Sequence, residues 1–218
     1  MESVPSLADC RLYLCVGLRD DLTDFVHAVV EGGVDVVQLR EKTAPASDQR
    51  GPAGELARLC RDLGVPFVVN DSPELAAEVG ADGVHVGQDD VPVERCRALL
   101  GEGAIVGLST HAEAELEAAL TTSATYLSAG PIVPTPTKVG RPGTGVGYAL
   151  AAQRRSDRPV FVTGGVSPTT VGALVAEGLR HFVVVRALTE AHDPGGAARA
   201  LRRARDEALS AVPVEPAQ

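Results

Sequence analysis

The chain has 218 residues, 44% of them hydrophobic and only 3% aromatic, with no Trp, so Val, Ala and Leu must build its core. That length suits a single α/β barrel. Lys and Arg total 20 against 29 Asp and Glu, a formal charge of −9. This balance argues against nucleic acid or an anionic membrane as partner, but not against a small polyanionic ligand, because local cations or a metal can reverse the field inside one cleft.

Short β-branched runs alternate with helical patterns along the chain. RLYLCVG (11–17) reads as a first strand, followed by a helix near 22–31. VDVVQLR (34–40) is the second. It ends in Gln38, Arg40 and Lys42, which share one face while the strand stays extended. The segment 43–54, TAPASDQRGPAG, is rich in small residues, Pro and Gly. It reads as a mobile loop, either a lid or a plain surface connection, before a helix near 54–63. PFVVN (66–70) is the third strand, ending in Asn70 and Asp71. Asp71 or Ser72 then caps a helix over 73–79 that opens with Pro73.

GVHVG (83–87) leads into Gln88, Asp89 and Asp90 and a helix near 92–100. AIVGLS (104–109) ends at Ser109, ahead of a helix near 112–120. TYLSAG (125–130) runs into a loop in which Pro131, Pro134 and Pro136 restrict the backbone. That loop displays Thr135, Thr137 and Lys138, hydroxyl donors beside a cation, a set that suits phosphate. After a helix near 146–155, PVFVTG (159–164) ends in Gly164 and Gly165. Glycines let backbone amides approach an anion, and a helix near 169–177 presents its N-terminus there. HFVVV (181–185) is the eighth strand, with Arg186 at its end, and a last helix covers 195–209.

Eight continuous apolar strands separated by helices predict a parallel sheet covered on its faces, closed as a (β/α)8 TIM barrel. The alternative is an open doubly wound sheet, but no GxGxxG turn follows the first strand. One barrel domain over 1–210 is expected, with 211–218 as a disordered tail. Function in a barrel sits at the C-terminal ends of the strands, which is where the unusual polar residues fall.

Asp71 and Asp90 come from adjacent strand ends and are candidate Mg²⁺ ligands, since Mg²⁺ often takes one or two carboxylates with waters and substrate phosphate. Read singly, they are a helix cap and a solvated loop acid. Arg186 can pair with a phosphate held at Gly164 and Gly165, or the pair is a tight turn beside a surface Arg. His85, between valines, reads as a packed, hydrogen-bonded histidine. His111 follows Ser109 too closely to make a Ser-His dyad with it. Cys10, Cys15, Cys60 and Cys96 form no CxxC pair and read as reduced structural thiols. No apolar run approaches the roughly 18–20 residues of a membrane span, and the N-terminus lacks a secretory pattern. A soluble cytoplasmic protein is expected. No exposed apolar stripe marks a dimer face, so a homo-oligomer stays open.

QLREK (38–42), VNDSPELAAEVGADGVHVGQDD (69–90), GLSTH (107–111), GPIVPTPTK (130–138) and GGVS (164–167) together resemble the thiamine-phosphate synthase family, in the family's order and over most of 11–190. The resemblance implies a (β/α)8 barrel. It implies a transferase that joins a hydroxymethylpyrimidine diphosphate to a thiazole phosphate, with Mg²⁺ as cofactor. Gln38, Leu39, Arg40, Glu41, Lys42, Asn70, Ser109 and Lys138 would then hold the pyrimidine diphosphate, with Arg40, Lys42 and Lys138 assisting its departure. Asp71 and Asp90 would hold the metal. Thr135, Pro136, Thr137, Gly165, Val185 and Arg186 would hold the thiazole phosphate. Arg186 stands where many members carry Ser, and Asp89 where Glu is common. A related thiazole tautomerase, needing only the second phosphate site, and a non-catalytic phosphate-ligand sensor are the competing readings. Retention of the QLREK cations and the Asp pair argues against the tautomerase.

Overall fold

Alternation within each apolar run decides which side chains meet inside the sheet. The protein is described here from a computed structural model that covers residues 6–135 and 142–211. Strands β1 (Leu12–Val16), β2 (Val36–Leu39), β3 (Phe67–Asn70), β4 (Gly83–Val86), β5 (Ile105–Thr110), β6 (Tyr126–Ala129), β7 (Val160–Val162) and β8 (His181–Val184) pair in chain order and close into a parallel barrel. Closure is made where β8 returns to β1, with Phe182 beside Leu12 and Val184 beside Leu14. An open sheet is thereby excluded.

Helices α1 (Leu22–Glu31), α2 (Ala46–Asp62), α3 (Pro73–Val79), α4 (Val93–Leu100), α5 (Glu113–Leu120), α6 (Gly145–Arg155), α7 (Val171–Ala176), α8 (Arg186–Thr189) and α9 (Pro194–Ala211) follow the strands. Their buried faces, such as Phe25, Val26 and Val29 on α1, pack on the outward strand residues Leu12, Leu14, Val37, Leu39, Val69 and Val162. The inward residues form a second, smaller cluster of Tyr13, Val36, Val68, Tyr126 and Phe161, closed below by Leu7 and Cys10. Burying side chains of this size contributes about 1.5–3 kcal/mol each. Three aromatic residues, Tyr13, Tyr126 and Phe161, thus meet in the barrel lumen, while Phe25, Phe67 and Phe182 pack between sheet and helices.

Three expectations need correction. Most of the segment 43–54 is helix, since α2 begins at Ala46. Pro52 lies inside it, but the bond it cannot make is to the carbonyl of exposed Asp48, which water can satisfy, while Ala53, Leu56, Ala57 and Cys60 bury the inner face. Helix α8 is an addition that periodicity could not show. It is a single turn carried by buried Leu188 and by the Val185 carbonyl, which accepts from the Leu188 and Thr189 amides. Ala211, assigned to the tail, ends α9, and 212–218 lie outside the described residues.

Two arginines, buried Arg97 and half-buried Arg158, tie the outer layer to the sheet. Arg97 of α4 donates to the carbonyls of Glu102 (2.7 Å), Ala104 (2.6 Å) and Ser123 (2.8 Å) and to Thr125 Oγ1 (3.2 Å). Arg158 donates to the carbonyls of Ala119, Leu120, Thr122 and Ala124, which closes the C-terminus of α5. The four thiols are buried and none is paired with another. Burial pushes Cys10 and Cys60 up to about 12, far from nucleophilic. Among the described residues no helix is long and apolar enough to cross a membrane.

Candidate active site

A cavity of about 420 Å³ opens at the C-terminal ends of the strands. Inward alternation places Cys15, Gln38, Asn70, His85, Ser109 and Ser128 in its wall, each near the end of its strand, above Tyr13 and Tyr126. Arg40, Thr135, Thr163, Gly164, Gly165, Val185 and Arg186 complete the mouth.

The pyrimidine-side residues divide into three groups. Gln38 and Arg40 line the cavity, and Lys42 stands at its rim, ion-paired with Asp71. Leu39 points the other way, buried in the layer between sheet and helices. Glu41 is tied to loop backbone. One carboxylate oxygen accepts from the Thr43 amide (2.7 Å), the Thr43 hydroxyl (2.6 Å) and the Ala44 amide (3.2 Å), and the other from the Leu18 amide (3.2 Å). These bonds, those of Thr43 foremost, hold its carboxyl down at about 2. The side chains of Leu39 and Glu41 therefore shape the site without lining it. Lys138, Pro136 and Thr137 lie outside the described residues.

Asp71 is the one non-glycine residue with a positive φ (62°) among the described residues. Its amide donates to the His85 carbonyl (2.8 Å), anchoring the end of β3 to β4. The helix cap is Ser72, whose hydroxyl accepts from the Leu75 amide. The Asp71 carboxylate is thus free of the capping role and meets both Lys42 and Asp90. Partial burial, foremost, and the Asp90 carboxylate raise its pKa, against the lowering effect of Lys42. Asp90 Oδ2 accepts from the Gly87 amide (2.8 Å), which fixes its loop. The Asp71 carboxylate, ion-paired with Lys42, and the neighbouring Asp90 carboxylate form an oxygen-only donor pair. Among the described residues no three His, Cys, Asp or Glu side chains gather as a metal cage. Such a pair fits a hard cation that keeps waters and ligand oxygens, as Mg²⁺ does.

On the opposite side, Gly164 and Gly165 have φ of 95° and 72°. A Cβ on Gly164 would lie 2.8 Å from the Pro131 Cβ, and one on Gly165 2.7 Å from the Val133 side chain. Glycine is required here by conformation and by space. The six-residue helix α7 begins only at Val171, later than expected. Its N-terminus does not follow the glycines directly. The intervening turn is closed by Thr170, whose hydroxyl accepts from the Ser167 amide (2.9 Å) and donates to the Gly165 carbonyl (2.7 Å). Backbone of this turn, Thr135 and Arg186, rather than a helix terminus, make up the second anion-compatible wall.

His85 is hydrogen-bonded to Tyr126 Oη (2.9 Å) and Ser109 Oγ (2.8 Å). His111 pairs with Glu115 (3.0 Å) instead of Ser109. Gln88 donates to the Ser109 carbonyl (2.6 Å). Sequence reasoning missed Tyr13, Cys15, Tyr126, Thr163 and Glu190 as cavity residues. For Tyr13, Cys15 and Tyr126 a signal existed, since each alternates with apolar neighbours on a barrel strand and must face inward.

The profile of the family described as thiamine monophosphate synthase matches residues 12–188. The chain belongs to this family. It is 43% identical over 198 residues to the thiamine-phosphate synthase of Acidothermus cellulolyticus, covering 88% of this chain and 93% of that one. To the thiamine-phosphate synthase of Streptomyces avermitilis it is likewise 43% identical, over 197 residues, covering 88% and 92%. The solved thiamine phosphate pyrophosphorylase of Pyrococcus furiosus superimposes with a TM-score of 0.81 at 28% identity, covering 92% of this chain and 97% of that structure. As a member of the thiamine monophosphate synthase family, the chain is a transferase.

Proposed function

We propose that the chain condenses 4-amino-2-methyl-5-(diphosphooxymethyl)pyrimidine with a thiazole phosphate, carboxylated or not, to give thiamine phosphate and diphosphate in the cytoplasm, with Mg²⁺ as cofactor. The observation that carries this reading is the meeting of Lys42, Asp71 and Asp90 on one rim, beside a cavity that Arg40 enters from the same side. A wall of Thr135, Gly165 and Arg186 faces it. Each side matches one of two anionic partners.

In this reaction the bond between the pyrimidine methylene and the diphosphate oxygen breaks, with its electron pair leaving on the diphosphate. The thiazole nitrogen lone pair forms the new C–N bond. A ring nitrogen needs no strong base, so Ser109, hydrogen-bonded to His85, is not called on as a nucleophile. Arg40 and Lys42 bind the diphosphate and offset its growing charge, a role Lys138 shares. Asp71 and Asp90 would hold Mg²⁺, which when bound supplies further charge neutralisation of the leaving group. Thr135, Gly165, Val185 and Arg186, with Pro136 and Thr137, hold the thiazole phosphate. Two anionic handles on facing walls bring nitrogen and methylene together, and much of the rate enhancement comes from that alignment.

The test mixes both substrates with the protein and measures diphosphate and thiamine phosphate, with and without Mg²⁺. Asp71→Asn is expected to lower kcat/KM by roughly 10²–10³-fold, the usual size of one lost electrostatic stabiliser. Binding of both substrates without turnover would turn the reading toward a sensor. Full Mg²⁺-dependent activity in Asp71→Asn would remove the metal assignment.

A further inference from the structure

Five strands send polar side chains into the barrel lumen that join into one continuous hydrogen-bond chain. Cys15 Sγ reaches Gln38 Oε1 (3.4 Å), and Gln38 Nε2 reaches Tyr13 Oη (2.8 Å). Tyr13 Oη meets Tyr126 Oη (2.7 Å), Tyr126 Oη meets His85 Nδ1 (2.9 Å), and His85 Nε2 meets Ser109 Oγ (2.8 Å). Every member is at most 8% exposed. The His85 and Tyr126 rings also stack, with centroids 5.4 Å apart. Gly107 makes this possible, because a Cβ there would lie 2.4 Å from His85 Nδ1 and 2.2 Å from the Tyr126 ring.

Such a chain has a direction. The Gln38 amide sets it, since its carbonyl end faces a thiol donor and its amino end must donate to Tyr13. A phenol has one proton. Tyr13 therefore passes its own to Tyr126, and Tyr126 passes its own to Nδ1 of His85. The imidazole proton then lies on Nε2 and is donated to Ser109 Oγ. The Ser109 hydrogen is left to point into the cavity that Ser109 lines.

We propose that Tyr126 is a positioning residue that holds His85 in its Nε2–H tautomer and so makes Ser109 a hydrogen-bond donor toward the pyrimidine diphosphate. This rests on the reading that Ser109 meets that substrate. The ring nitrogens and phosphate oxygens of the substrate are acceptors, so an outward O–H is the complementary group. Reversing the chain would turn a lone pair of Ser109 toward them. Neither tyrosine needs to touch the substrate for this effect, because the information travels as proton position.

The tautomer is read directly by long-range ¹H–¹⁵N correlation of the imidazoles in the ligand-free protein. The chain has five histidines, and the signal missing from His85→Gln identifies the residue. The expected pattern is a protonated Nε2 and a bare, hydrogen-bonded Nδ1. In kinetics, Tyr126→Phe is expected to lower kcat/KM for the pyrimidine diphosphate by roughly 10- to 100-fold, the value of one hydrogen bond to a charged partner. In a Ser109→Ala background the same change should have almost no further effect, because it acts through Ser109. A purely structural tyrosine would give additive losses. A Nδ1–H tautomer, additive losses, or wild-type kinetics in Tyr126→Phe would each overturn the proposal. Should Tyr126→Phe fail to fold, the wild-type tautomer decides alone. Since that spectrum needs neither substrate, its failure is distinguishable from failure of the coupling reaction itself.

Discussion

Replacing Gly107 by Ala tests the packing on which the whole lumen depends. The added methyl would sit 2.2 Å from Tyr126 Cζ and 2.4 Å from both His85 Nδ1 and Tyr126 Oη. Ordinary carbon contacts lie at about 3.5–4 Å, so a ring must retreat by about 1 Å or more. Neither ring can do so cheaply, since Tyr126 is packed edge-on against Phe161 at 5.4 Å and bonded to Tyr13, and both partners are fully buried. Overpacking of this kind costs about 1–3 kcal/mol. A retreat of that size also breaks the 2.9 Å bond to His85 or the 2.7 Å bond to Tyr13, adding about 1 kcal/mol for each. The expected loss is about 2–5 kcal/mol, which in a chain of this length lowers Tm by about 5–15 °C. Urea unfolding followed by far-ultraviolet circular dichroism measures it, with the slope checking that the transition stays two-state. A loss below about 1 kcal/mol at unchanged slope would show that Tyr126 and His85 do not press against this strand, and the lumen described above would be wrong.

Two further outcomes follow from polar groups outside the lumen. Glu41 is held at about 2 in the fold against an ordinary 4.5. Its contribution is therefore full above pH 4.5 and is lost as pH falls toward 2. The stability gap between wild type and Glu41→Gln, read as urea midpoints, should stay constant near neutrality and close between those values; a gap that persists at pH 2 would refute the carboxylate's role. Arg97→Met should cost about 2–4 kcal/mol, because three partly buried carbonyls lose a charged donor together, and an unchanged melting temperature would show that those carbonyls find water instead.

The strands were the most legible part of the fold. Each apolar run bounded by Gly, Pro or Asp became a strand within two residues of the expected ends, because burial on both faces demands uninterrupted apolar sequence. Misreadings arose where two local signals competed. In 43–54 the Pro and Gly content outweighed the apolar spacing of Ala53, Leu56, Ala57 and Cys60, yet one buried helix face was enough to override it. The helix after Gly164 and Gly165 was expected too early, because the Ser-Pro-Thr-Thr run satisfies its own amides through Thr170 before any helix begins.

The candidate site was half legible. Charged and hydroxyl residues at strand ends announced themselves by their oddity among apolar neighbours, and Arg40, Lys42, Asp71, Asp90 and Ser109 do gather around one mouth or rim. Alternation with Gln38 already turned Leu39 toward the helices, but it could not tell that Glu41 would be tied to the loop, because the strand ends at Leu39 and the period-two rule ends with it.

From residue order alone came the eight β/α repeats and the chemistry at each strand end, since both are written in local spacing. Tertiary structure alone decided which residues from distant strands became neighbours. Tyr13 and Tyr126 stand 113 positions apart and share a hydrogen bond because closure of the barrel, not any local pattern, carries β1 and β6 to one lumen. A strand's own sequence sets which side faces inward, whereas the depth and partner of each inward side chain depend on how all eight strands are staggered when the sheet closes.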